Sequence, residues 1–268
     1  MSQDSLPQHK AVRILLLCAL GVAVAAGAFV GLLALLAPLG VWLGMWDFRR
    51  GFELLRLAND NADWLALLCL VIVVAVPPTA RYLKIRIGRV LPATAALATL
   101  AASLAYFYPQ SFAAPQGSSY PPIHDISTDT VNPPGFVAVL PLRSDAPNST
   151  VYGDSPRLDA AELARLTREA YPDLVPWRTD AAPAEVFDRA LQAVDELGWE
   201  LVDQDPATGR IEATDTTFWF RFKDDVVISI QPDGNQTLVN ARSVSRVGTG
   251  DVGANAKRLR AFFALLQQ

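Results

Sequence analysis

ILLLCALGVAVAAGAFVGLLALLAPLGVWLGMW, residues 14–46, runs for 33 residues without a formal charge, and the fold turns on how it is read. About 20 apolar residues, rising 1.5 Å each, cross the ~30 Å hydrocarbon core of a bilayer. The run is long enough for a tilted membrane helix, with Pro38 and Gly40 near its far end and Trp42 and Trp46 at an interface. The rival reading is a cleaved signal peptide ending at Ala26-Gly27-Ala28. A signal core spans ~7–15 residues, whereas this run continues well beyond Ala28. A lipoprotein signal at Cys18 would need a small residue before it, and Leu17 is large.

Two further apolar segments follow. Trp64 to Ala80 holds 17 uncharged residues closed by Pro77-Pro78, and Val90 to Tyr108 is rich in Ala and Leu and ends in Tyr106, Phe107 and Tyr108. In hydrocarbon every backbone donor and acceptor needs an internal partner, so all three segments are expected as helices near 14–44, 64–80 and 90–108. The connection Arg81–Arg89 carries four positive charges and no acid, and the N-terminal tail carries Lys10 and Arg13. The first connection dilutes Arg49, Arg50 and Arg56 with Asp47, Glu53, Asp60 and Asp63. Positive loops stay on the cytoplasmic side, which puts the tail and the second connection inside. Three crossings then put everything after Tyr108 outside, in the periplasm of a bacterium whose inner membrane holds the anchor. A second segment that failed to span would leave that part cytoplasmic.

Composition divides at the same place. The chain has 268 residues, 51% hydrophobic and 19% charged. Residues 1–120 carry 9 basic and 5 acidic side chains, net +4, and residues 121–268 carry 14 and 22, net −8. This excludes a wholly disordered chain, a collagen-like repeat and a small disulfide scaffold, and neither part is a basic patch suited to nucleic acid. Both cysteines, Cys18 and Cys69, lie in the expected membrane helices, so redox compartment is not legible from them.

After a linker at 111–122, rich in Pro, Ser, Gly and Gln, residues 123–268 read as an α+β domain. Asp159-Ala160-Ala161-Glu162 begins a helix that runs to Ala170, and a second starts near Pro183, with Val186, Phe187, Ala190, Leu191, Val194 and Leu197 at helical spacing. Strands are expected at 199–203, 210–215, 217–222, 225–231 and 238–243, with a final helix from Asp251. The alternation of Phe218, Phe220 and Phe222 reads as core. The whole is expected to be a three-helix anchor followed by an antiparallel sheet of about four strands covered by two or three helices.

Two segments carry groups capable of chemistry. In the first, Ile123–Asp129, His124 is the one histidine outside the tail, followed by Asp125, Ser127 and Asp129. A His–Asp pair suits a general base, but one histidine without a Cys or a second His nearby is no zinc site. The plainer reading is a loop of Asx- and ST-turns. The second, Arg242 to Asp251, brings Arg242, Ser243 and Arg246 to the start of the last helix, where backbone N–H groups bind anions. Against that, Asp251 fits as the cap and would fill the place of the anion, and the arginines have internal acids to pair with. No P-loop, Gly-x-Ser-x-Gly elbow or dinucleotide glycine pattern occurs, so no cofactor is expected.

These segments, with Asn132-Pro133-Pro134-Gly135-Phe136, Tyr171-Pro172, Gly198-Trp199, Gly209–Thr214 and Phe222–Val226, resemble the family catalogued as domain of unknown function 1499 over roughly residues 120–268. The resemblance implies an exported or envelope-associated domain of unestablished activity, and brings no catalytic residues with it. The expected function is therefore a non-enzymatic module, bound to the bilayer, that holds an envelope protein, lipid or small ligand at 123–129 and 242–251. The alternative is a membrane-anchored hydrolase with His124 as base, Asp125 orienting it, and Arg242 or Arg246 stabilising negative charge.

Overall fold

The computed structural model describes residues 5–110, 119–155 and 157–268, and most of the expected linker lies outside them. The chain divides into two compact units, Met1–Ala113 and Ala114–Gln268.

The first unit is three helices, α1 (Ser5–Trp42), α2 (Phe48–Tyr82) and α3 (Val90–Gln110), each holding a stretch long and apolar enough to cross a membrane. The polar stretch 47–63, expected as a connection, is instead helical. Asp47 accepts a hydrogen bond from the Arg50 N–H and caps α2 at Phe48. The buried residues of α2 are Gly51, Ala58, Ala62, Leu65, Cys69, Val76 and Ala80. They follow a seven-residue repeat, so one seam faces the other helices while the charges of 49–63 point away. Small residues let the backbones approach. A Cβ on Gly27 would lie 2.3 Å from the Ala98 carbonyl oxygen, and one on Gly31 would lie 2.9 Å from the Ala101 Cβ. Gly27 and Gly31 form a Gly-x-x-x-Gly pair of the kind that packs membrane helices closely.

The second unit is built on a sheet of six strands, where about four were expected, and two of them fall outside the expected ranges: β1 (Asp125–Ser127), β2 (Trp177–Thr179), β3 (Glu200–Asp205), β4 (Arg210–Thr216), β5 (Lys223–Asp233) and β6 (Gln236–Ser245). Their order is β1-β6-β5-β4-β3, all antiparallel, with β2 also on β6. The two extra strands are three residues each and lie in tandem along one edge of β6, β2 at its start and β1 at its end. Helices α4 (Ala160–Ala170), α5 (Pro183–Glu196) and α6 (Ala254–Leu266) complete the unit.

The expected strand at 217–222 is a turn. Register runs from Thr216↔Lys223, and the loop closes on itself through Thr217 N–H to Phe222 O and Phe222 N–H to Thr217 Oγ1. Arg221 takes a left-handed conformation at φ 54°, which breaks the alternation. Phe218 and Trp219 are consequently 66% and 41% exposed rather than core. The last helix likewise begins at Ala254, three residues later than expected, because Val252 and Gly253 are both left-handed.

Residues opposite one another in an antiparallel ladder share a face, and the two faces of this sheet differ chemically. One presents Ile126, Ile211, Ala213, Val226, Ile228, Ile230, Val239 and Ala241 to apolar side chains of α5 and α6. The other carries only a small apolar cluster of Phe136, Val139, Val227 and Val244, and lies under the irregular segment 128–150. That second face holds Asp125, Glu212, Asp225 and Arg242, all buried.

Gly209 turns the β3–β4 hairpin at φ 62°, and a Cβ there would lie 2.0 Å from the Ile230 carbonyl oxygen. Gly209→Ala is expected to lower the stability of the second unit by more than ~1 kcal/mol. The signature is a lower urea midpoint at unchanged slope in the full chain, and an unmoved midpoint would refute this account of the turn.

Candidate functional site

Antiparallel pairing of β1 with the end of β6, in the register Asp125↔Val244 and Ser127↔Arg242, brings the two candidate segments together. Neighbouring residues on a strand point to opposite faces, so His124 and Asp125 diverge. The Asp125 carboxylate turns both oxygens to Arg242, accepting from Nε at 2.8 Å and from Nη2 at 2.7 Å. Neither of these bonds involves His124. Among the described residues the His124 ring has no hydrogen bond, and its backbone carbonyl accepts from the Ser245 N–H and from Asn255 Nδ2.

Arg242 is held on every side. Besides the bidentate pair it donates to the carbonyls of Pro134 and Thr150, and its guanidinium stacks against the rings of Phe136 and Tyr152 at 5.4 and 5.3 Å. A planar fork with five N–H groups suits this enclosure, and a lysine would not fill it. Burial, helped by the Asp125 charge, pushes the Tyr152 hydroxyl up to about 12, so the phenol stays protonated.

Arg246 pairs with Asp225, not with the acids of the first segment. Its Nε and Nη2 both reach the Asp225 carboxylate at 2.9 Å, and Nη1 donates to the Leu142 carbonyl. Asp225 also accepts from Arg143 and from Thr214 Oγ1. Burial alone would raise the Asp225 carboxyl, but hydrogen bonds from Arg246, Thr214 and Arg143 outweigh it and hold it below the usual carboxylate range. Glu212 has the same task on β4, accepting the N–H groups of Val137 and Val139.

The remaining candidates are engaged as well. Ser127 Oγ donates to the Asp129 carbonyl, and the Asp129 carboxylate accepts the N–H groups of Val131 and Asn132 in an Asx-turn. Ser243 Oγ donates to Asn255 Oδ1 and accepts from Arg258, which also reaches Asp215 and Asp224. At the start of α6 the Asp251 carboxylate accepts the N–H groups of Gly253 and Asn255. It occupies the position an anion would take, and burial pushes its own carboxyl up.

Arg143, Glu212, Asp225, Asn255 and Arg258 were not among the residues singled out in the sequence. Asp225 adjoins the apolar run Val226–Ile228 and Glu212 stands between Ile211 and Ala213, and a charge at those places was the available sign. Arg143 gave none, since it lies in a one-turn 3₁₀ helix at 140–143 and its carboxylate partner, Asp225, is 82 positions away. Among the described residues no three His, Cys, Asp or Glu side chains gather to hold a metal.

Arg242→Ala would leave Asp125 buried without its partner and two carbonyls without a donor. The expected loss is about 3–5 kcal/mol of stability in the second unit, read by chemical unfolding of the full chain. A variant that unfolds at the wild-type midpoint would show the pair to be no structural rivet.

No curated protein is significantly similar to the chain. The model of the family described as Protein of unknown function (DUF1499) matches residues 125–266, more than half of the length and the whole of the network above, and the chain belongs to that family.

Proposed function

We propose that the protein is an inner-membrane protein whose second unit faces the periplasm and works by binding an envelope component rather than by catalysis. The observation that carries the reading is the state of Arg242. A catalytic or anion-binding arginine keeps N–H groups directed at an open site, whereas this one spends its donors on Asp125, Pro134 and Thr150 between two aromatic rings. Arg246 is committed to Asp225 in the same way, and the helix N-terminus to Asp251. His124 then has neither an orienting carboxylate nor a cation to stabilise developing charge.

Contact surface is present at the same end of the sheet. Antiparallel order brings the start of β1, the end of β4, the start of β5 and the end of β6 to one end. There the turn 217–222 presents Phe218 and Trp219, and the loop 248–253 presents Val252, 56% exposed and left-handed at φ 53°. A β-branched residue in that conformation is strained, and strain at an exposed position serves no core packing. Trp and Phe suit a partner protein or a lipid interface.

The periplasmic orientation rests on the charge of the connections: Arg81, Lys84, Arg86 and Arg89 with no acid between Asp63 and Asp125. With Cys18 and Cys69 replaced by alanine, Asn235→Cys in the full chain is expected to react with a membrane-impermeant maleimide in cells whose outer membrane is permeabilised. Lys84→Cys should react only after lysis. The reverse pattern would overturn the orientation.

Catalysis is tested separately. His124→Ala is expected to leave turnover of fluorogenic ester and phosphoester substrates at the wild-type level. A wild-type activity that falls at least ~100-fold in the variant would establish the hydrolase instead.

A further inference from the structure

The connection between α2 and α3 borders an open, solvent-facing pocket of about 660 Å³, lined by Pro77, Pro78, Arg81, Ile87, Arg89 and Pro92 among others. Its walls are fixed by backbone hydrogen bonds. α2 ends in a Schellman arrangement, with Ile85 N–H to Ala80 O at 2.8 Å and Lys84 N–H to Arg81 O at 3.1 Å. Lys84 takes the left-handed position, usually a glycine's, at φ 56°, and Gly88 at φ 74° turns the chain toward α3.

Depth follows from the helices. The uncharged stretch of α2 ends at Ala80 and that of α3 begins at Val90, so the pocket lies where hydrocarbon gives way to headgroups. Its chemistry is one-sided. Arg81, Lys84, Arg86 and Arg89 pair with no carboxylate among the described residues, whereas Arg50 in the first part of α2 pairs with Glu53. Between Asp63 and Asp125 there is no acidic residue at all, so this stretch carries no counter-ion of its own.

We propose that the pocket binds the headgroup of an anionic phospholipid, with Arg81 and Arg89 on the phosphodiester and the Pro and Ile wall against the glycerol and first acyl carbons. An arginine fork matches phosphate geometry. The residues lining the pocket include neither an acid nor an aromatic ring, so nothing there would receive the ammonium of a zwitterionic headgroup. Basic pockets at the ends of membrane helices recognise anionic headgroups by this chemistry. The site rests on the membrane spans alone and holds for either orientation of the chain.

The test uses the full chain, delipidated in neutral detergent, with bound lipid counted by native mass spectrometry. Phosphatidylglycerol is expected to be retained at least about tenfold better than phosphatidylcholine. Arg81→Gln/Arg89→Gln should lose that preference, while Lys84→Gln/Arg86→Gln, which removes the same charge from the connection outside the pocket lining, should keep it within about twofold. Equal retention of both lipids, or equal loss in both double variants, would overturn the proposal in favour of a general charge effect. Displacement of the lipid by glycerol phosphate at equal concentration would identify a soluble phosphate as the ligand, and would also overturn it.

Discussion

The second unit depends on charges buried under a segment that has almost no secondary structure of its own. Residues 128–150 cover one face of the sheet, and a covering loop brings backbone N–H and C=O groups that no ladder satisfies. Apolar side chains cannot bond them. Glu212 takes two of the N–H groups, Arg242 takes the carbonyls of Pro134 and Thr150, Arg143 takes that of Asn148 and Arg246 that of Leu142. Asp125 then pairs with Arg242, and Asp225 with both Arg143 and Arg246. Each ion is expensive to bury and each is satisfied several times over, so the network adds little net stability yet cannot lose one member cheaply.

The helix face needs none of this. α5 and α6 satisfy their own backbones, and the contact is apolar throughout except at one end, where Arg258 gathers Asp215, Asp224, Ser243 and Asn255. The division explains why charged residues occur inside strands that otherwise read as core. β4 alternates Ile211 and Ala213 toward the helices with Glu212 and Thr214 toward the loop, and β5 alternates Val226 with Asp225 in the same sense.

Elements held by local rules were legible in the sequence, and elements held by distant ones were not. The apolar runs, the capped start at Asp159 and the turn at Gly234 are local signals. β1 and β2 are three residues each and exist only because β6, some 60 to 120 positions away, offers an edge. The turn 217–222 imitates a strand, since alternating aromatics fit both, and the left-handed residue that decides it is an arginine rather than a glycine. The charges at 49–63 suggested a loop, although the seven-residue spacing of Gly51, Ala58, Ala62 and Leu65 was already a helical seam. At the candidate site the pairing of arginines with internal acids was foreseeable from charge alone. Which acid each would take was not, because Arg246 reaches Asp225 across the β5–β6 ladder rather than along the chain.

Most of the segments by which the chain resembles its family contribute to this network, although Tyr171 and Trp199, of the segments Tyr171-Pro172 and Gly198-Trp199, belong to the apolar core and Arg143 comes from outside those segments. Asp125 lies in 123–129, Pro134 and Phe136 in 132–136, Glu212 and Thr214 in 209–214, Asp225 in 222–226, and Arg242, Ser243, Ser245 and Arg246 in 242–251. Each carries a polar atom or a ring that closes a bond or stack described above. In this chain those residues are occupied in holding a loop onto a sheet. The groups the network leaves outward are the turn at Phe218 and Trp219, the strained loop at Val252, and the three apolar helices, which lie outside the matched residues. That is why the strongest motifs in the sequence state the architecture and not the activity.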